Sequence, residues 1–206
     1  MDTMTTAGQR TASTPEDAGT FRQRLLDGLA SAIVDNGYRS TTVADIVGRA
    51  RTSRRTFYEH FEDKERCFVA LLAEKNAEMI REIVASVDPA APWENQVRQA
   101  VEAWIVASES EPAITVSWIR DVPSLGVAAR QLQRDSMAAF VTMIETLCDT
   151  DEWRSAGVGP VPRQLILLLI GGLRELIATT VEDGGRVSDI TEIAMRASIA
   201  LLDPRR

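Results

Sequence analysis

Two helix starts stand close together between Thr42 and His60, and that arrangement constrains the fold more than any other feature of the chain. Thr42 precedes an apolar run and Asp45 follows three residues later, the pattern in which a hydroxyl and a carboxylate each satisfy the other's backbone N–H. Val43, Ile46 and Val47 then share one face of a short helix. Ser53 offers a second N-cap, opening Arg54-Arg55-Thr56-Phe57-Tyr58-Glu59-His60. Phe57 and Phe61, four apart, anchor this second helix to a core and leave Arg54, Arg55, Thr56, Tyr58 and His60 largely outward. One helix that braces and a second, cationic one that projects is the layout of a helix-turn-helix, whose second helix enters the DNA major groove.

The overall charge needs reconciling with that reading. At 206 residues the chain can bury a full core, as one large or two small domains. Its net charge of −7 argues at first against a polyanionic partner. Residues 22–66, however, hold nine Arg/Lys against seven Asp/Glu, a net of +2, whereas residues 67–206 hold thirteen against twenty, a net of −7. The acidity lies away from the projected helix, and local cations set phosphate attraction. Cys67 and Cys148 give no disulfide framework and suit a reducing, cytoplasmic setting. The most apolar run, Leu165 to Leu173, is closed by Arg174-Glu175 well short of the about 20 residues a bilayer span needs, so no membrane role is expected.

Helical periodicity runs through the rest of the chain, and no strand pattern interrupts it. Residues 1–19, rich in Thr, Ser, Ala and Gly, are expected to be a disordered arm, with Arg10 a candidate for minor-groove contact. A helix is expected from Thr20 to Asn36, with Phe21, Leu25, Leu29, Ala32 and Ile33 on one face and Gly37 as its C-terminal cap. After the two short helices, Asp63 caps a long helix to about Val87 that links two domains, 20–66 and 67–206. Further helices are expected over 93–109, 112–118, 125–148, 162–182 and 189–202, with a Gly/Pro-rich loop over 157–162. The fold class is therefore all-α: an N-terminal three-helix helix-turn-helix domain and a larger C-terminal helical domain.

The residues Gly37-Tyr38, Thr41-Thr42-Val43, Asp45-Ile46-Val47, Ala50, Ser53, Thr56-Phe57-Tyr58, His60-Phe61 and Lys64-Glu65 resemble the TetR family of bacterial transcriptional repressors. The resemblance covers about residues 22 to 70. It implies a DNA-binding N-terminal domain and a C-terminal domain that dimerises and takes up a small molecule. One departure is Arg51, where the family has glycine at the turn; a positive φ there would cost a non-glycine residue of order a kcal/mol. On this basis the expected DNA contacts are Thr42, Ser53, Arg54, Arg55, Thr56, Tyr58, His60 and Lys64, with Lys64 placed beside the N–H groups of a helix start that also favour phosphate. Arginines at the head of the projected helix can pair with guanine or with phosphate.

In the C-terminal domain Trp104, Trp118, Phe140 and Met143 are expected to line a mainly apolar ligand cavity of a few hundred cubic ångströms, with Glu102, Arg120 and above all Glu175 as polar anchors. Gly171-Gly172 interrupts an apolar helix interior, at a cost that calls for close packing. Gly172, Ile193, Ala197 and Leu201 are expected to form a homodimer interface, two helices per subunit making a four-helix bundle. His60, the only histidine, has no partner at a catalytic or metal-binding spacing, so no catalytic residues, metal or cofactor are expected and an enzyme is disfavoured. Cys67, next to Arg66 near a helix start, is weighed as a redox-sensitive thiol. The expected function is that of a cytoplasmic, homodimeric repressor binding a palindromic double-stranded operator and released by a small apolar ligand. The alternative is a regulator of the same fold with no small-molecule inducer, controlled by a protein partner.

Overall fold

The computed structural model describes residues 15–158 and 160–203. Among these the chain is helical, without strands: α1 (Pro15–Ser40), α2 (Val43–Arg49), α3 (Arg54–His60), α4 (Lys64–Ser86), α5 (Trp93–Ser110), α6 (Pro112–Arg120), α7 (Val127–Cys148), α8 (Asp151–Ser155), α9 (Arg163–Glu182) and α10 (Thr191–Leu202). Short 3-10 turns at Val122–Ser124 and Val187–Ile190 lead into α7 and α10. The arm expected over 1–19 lies mostly outside the described residues, Arg10 included, and α1 begins at Pro15, ahead of the expected Thr20. The loop expected over 157–162 includes position 159, which is not described.

The starts of α2, α3 and α4 use the capping residues that their sequence offers. The Thr42 backbone N–H donates to the Asp45 carboxylate at 2.8 Å while Thr42 Oγ1 accepts from the Asp45 backbone N–H at 3.3 Å, the reciprocal box. Ser53 Oγ accepts from the Thr56 N–H at 3.1 Å, and Asp63 Oδ1 from the Arg66 N–H at 2.7 Å. Gly37 breaks α1 with φ 73° and ψ 158°, a conformation that a Cβ would resist. The chain folded back beyond it is held by Lys64, whose Nζ donates to the carbonyls of Tyr38 (2.9 Å), Arg39 (3.4 Å) and Thr41 (2.7 Å). The same ammonium lies 4.4 Å from the centroid of the Tyr38 ring.

Two cores follow from these elements. The first joins Leu25, Leu29 and Ile33 of α1 to Ile46, Phe57 and Phe61, and to Phe68 and Leu72 of α4. It also draws in Ile114, Val122 and Ala129 from further along the chain, so the N-terminal unit is seated on α6 and the start of α7 rather than tethered by α4 alone. The Arg39–Asp121 pair (2.9 Å) lies across that seam. So does Glu65, whose Oε1 accepts the Gly126 N–H at the head of α7 at 2.9 Å. The second core gathers Trp93, Val97, Val101 and Ile105 of α5 against Leu169, Ile177, Ala194 and Leu202. Here α8, absent from the expected element order, places Trp153 in the core with its Nε1–H donating to Gln96 Oε1 at 3.0 Å.

The close approach of α1 to α2 rests on one residue. A Cβ at Gly28 would lie 2.7 Å from the Ile46 carbonyl oxygen and 3.1 Å from the Ala50 nitrogen, both backbone atoms that cannot turn aside. Gly28→Ala should therefore push α2 off α1 and destabilise the chain by about 1–3 kcal/mol, in spite of alanine's better helix propensity. A denaturant midpoint equal to or above that of the unaltered chain would refute this.

Candidate nucleic-acid interface and ligand cavity

The seven residues of α3 present one face to the core and the other to solvent. Phe57 is fully buried, whereas Arg54 and Arg55 are exposed and Tyr58 retains 59% of its accessible surface. Arg55 Nε reaches Glu59 at 3.1 Å, a fully surface pair of small energetic value. Arg54 makes no ion pair or hydrogen bond among the described residues, leaving its five donors available to a partner. Thr42 and Ser53 are exposed but engaged in capping, Thr56 Oγ1 lies 3.0 Å from Ser53 Oγ, and His60 is half-buried in the last turn. The expected DNA face thus resolves into three projecting side chains, Arg54, Arg55 and Tyr58, and a capping set that orients them.

Lys64 does not belong with them. Its ammonium spends its three protons on the carbonyls after Gly37, and burial lowers its pKa; it secures α1 to α4 and is not free for phosphate in this conformation. Arg51, between α2 and α3, has φ 49°, the left-handed conformation anticipated at that turn. The Arg24 guanidinium donates to the carbonyls of Ala50 (2.5 Å) and Arg51 (2.7 Å) and locks the turn from below. Arg51→Gly should relieve the strain and stabilise the chain by about 1 kcal/mol. Thermal unfolding checks this, and a lower midpoint for the glycine variant would contradict it.

Two adjoining cavities lie in the C-terminal half. The first, of about 110 Å³, is walled by Val97, Val101, Trp104, Phe140, Met143 and Leu169 among others. The second, of about 80 Å³, lies between α4, α5 and α6 and includes Leu72, Met79, Ile114 and Trp118. Trp104, Phe140 and Arg174 line both. The four side chains expected around one pocket are therefore divided: Met143 on the first chamber, Trp118 on the second, Trp104 and Phe140 between them. Each chamber is smaller than the few hundred cubic ångströms expected; the buried Trp153 of α8 stands on the wall of the first.

Glu175 lines neither chamber. Its carboxylate is exposed and takes a two-pronged bond from Arg120 (2.8 and 2.9 Å), which also pairs with Glu182 at 2.7 Å; these bonds hold both carboxyls below the usual range. One helical position earlier, Arg174 is the charged residue that lines both cavities. Glu102 is exposed on α5. Cys67 is fully buried and burial pushes its thiol up to about 12, which removes the redox-sensitive reading; Cys148 is likewise pushed up to about 12.

Along α9 and α10 an apolar face is left uncovered. Leu168 is 65% and Ile193 46% exposed, and Gly172 is open. Ala197 is half-buried, as is Leu201, which packs against the second core. The residues that sequence reasoning passes over are Arg174, Ser108, Gln96 and Trp153. Arg174 carries a signal, a guanidinium set into an apolar helical run, but periodicity alone makes it only the end of that run.

Residues 25–71 match the model of the bacterial regulatory proteins, tetR family. The chain is 38% identical over 64 residues to the HTH-type transcriptional repressor AcnR of Corynebacterium diphtheriae, and 36% identical over 58 residues to AcnR of Corynebacterium efficiens. These matches span about a third of the length of each relative, 33% and 31%, and 31% and 28% of this chain. Among solved structures, the fold is similar to the fatty acid degradation regulator FadR of Bacillus halodurans, with a TM-score of 0.74 at 15% identity, covering 89% of this chain and 99% of that one. It is also similar to FadR of Bacillus subtilis in complex with stearoyl-CoA, with a TM-score of 0.71 at 16% identity, covering 88% and 97%.

Proposed function

We propose, from the match of residues 25–71 to the tetR family model, that the chain is a homodimeric, sequence-specific DNA-binding repressor of that kind, released from its operator by a small, mainly apolar ligand. The observation that carries the regulatory half is the course of α4. Its first turns hold the recognition unit through Phe68 and Leu72, and its later turns reach the second chamber at Met79 and the first at Ile83. A molecule filling those chambers bears on the same rod that sets the pitch of α3. That a structural neighbour was crystallised in complex with stearoyl-CoA supports a ligand-responsive reading of this fold.

The mechanism is linkage. A ligand that binds the released state better than the operator-bound state lowers DNA affinity by the ratio of its two affinities, and a hundredfold effect needs only about 2.7 kcal/mol of difference. In a dimer the two copies of α3 must sit one helical turn of DNA apart, so a modest tilt of each α4 spoils the fit of both together.

Selection of bound duplexes from a random pool tests the DNA reading. The full chain should recover an inverted repeat, bound with an affinity that falls steeply with salt. A pool that comes through selection with no preferred sequence would count decisively against it.

A further inference from the structure

We infer that the two chambers form one divided site for an amphipathic carboxylate, its apolar body in the first and its carboxylate held between Arg174 and Ser108 at the second. The inference rests on the ligand reading above and specifies the chemistry of that ligand.

The first chamber offers an apolar wall and little else. The second is different: Lys75, Asn76, Ser108 and Thr115 stand on it beside Trp118. Its two cations are not equivalent. Lys75 is neutralised within the chain, its Nζ lying 2.8 Å from Glu111 and 3.5 Å from Glu78. Arg174, which lines both chambers, has no carboxylate within ion-pair distance and no hydrogen bond among the described residues. Arg174 is half-buried, and that burial lowers its pKa. A guanidinium drawn partly out of water without a counter-charge is costly and suits a site that takes up an anion.

A second, independent observation lies on the same chamber. Ser108 is fully buried, and its Oγ is the buried side-chain polar atom without a hydrogen-bond partner among the described residues. Buried hydroxyls are ordinarily satisfied, so one that is not, on the wall of a cavity, marks a missing acceptor. A carboxylate supplies what both groups lack: the planar acceptor pair that a guanidinium fork matches, and a further lone pair for a hydroxyl.

Size sets the body of the ligand. A cavity of about 150 Å³ holds a benzene ring in a protein core. The first chamber, at about 110 Å³, is smaller than that and suits a short chain rather than a long one.

Calorimetric titration of the full chain with straight-chain carboxylates from hexanoate to dodecanoate, each set against its primary amide, tests the inference. The unaltered chain should bind the best carboxylate about tenfold or more tighter than its amide, the gain expected of a charge-assisted hydrogen bond. Arg174→Gln should erase that preference by weakening the carboxylate alone, and Arg174→Lys should restore part of it. Ser108→Ala should weaken the carboxylate a few-fold without lowering the melting temperature, since the hydroxyl it removes has no partner to lose. Amides and carboxylates binding equally to the unaltered chain would overturn this inference and leave the apolar-ligand reading standing. A preference that survives in Arg174→Gln would overturn it as well. If no probe of any length bound, both would fall.

Discussion

Gly172→Glu should leave a folded monomer at micromolar concentration and cost the protein its operator affinity. Gly171 and Gly172 sit mid-helix in α9, where glycine costs about 1 kcal/mol against alanine. Nothing among the described residues accounts for that cost: no atom lies within 4 Å of where either Cβ would stand. Leu168 and Ile193 lie exposed on the same two helices. By length and composition α9 is apolar enough to cross a bilayer, with a mean hydropathy of 1.6, yet only 28% of that window is buried in the chain. A second copy packed through α9 and α10 would explain the glycines, the exposed side chains and the hydropathy together. In such a two-fold arrangement residue 172 lies close to its own copy, so a glutamate there introduces two facing charges at once. Because the position is open in the single chain, helicity should be unaffected. Separation of the half-sites removes the gain from two linked binding events, about 10²–10⁴-fold. Sedimentation velocity and mobility-shift titration read the two effects; a variant that remained dimeric with full operator affinity would refute the interface.

Arg54→Ala combined with Tyr58→Ala should abolish selective operator binding without unfolding the chain. Both side chains project from α3, and Arg54 has no partner among the described residues. Tyr58 is 59% exposed, with its ring set edge-to-face with that of Phe57 at 5.3 Å between centroids. Removing a side chain that reads a base edge costs about 1–3 kcal/mol, and a dimer incurs that cost at both half-sites. Side chains that meet phosphate behave differently: without them the salt slope falls, so titrations at several ionic strengths separate the two roles. Unchanged circular dichroism with unchanged operator affinity would remove α3 from the interface.

The helix-turn-helix was legible because its signals are local. Thr42, Asp45, Ser53 and Asp63 each act within three residues, and the bonds found are the bonds that their spacing implies. The positive φ at Arg51 was raised by the glycine that the resembled family has at that turn, and the backbone has it. The role of Lys64 was not legible, because the carbonyls it serves come from the kink at Gly37, more than twenty residues earlier. Glu175 and Arg174 show the limit of periodicity: neighbours on one helix differ by about 100° of azimuth, and the pattern alone assigns the wrong one to the cavity. The division of the cavity depends on Trp104 and Phe140, which line both chambers, and α8, at five residues, is too short to carry a period of its own.

The bond between Glu65 and Gly126 has a consequence for how the molecule can be watched. The first turn of α7 has no cap from its own sequence and borrows an acceptor from 61 residues away, across the seam between the DNA-binding unit and the rest. A Cβ at position 126 would stand 2.8 Å from that carboxylate oxygen, so any other residue there would turn the Glu65 side chain aside. If the N-terminal unit tilts, the amide loses its acceptor and opens to water. Deuterium uptake at this one peptide bond should thus act as a built-in inclinometer for the whole protein, reporting the attitude of the N-terminal unit that carries the recognition helix.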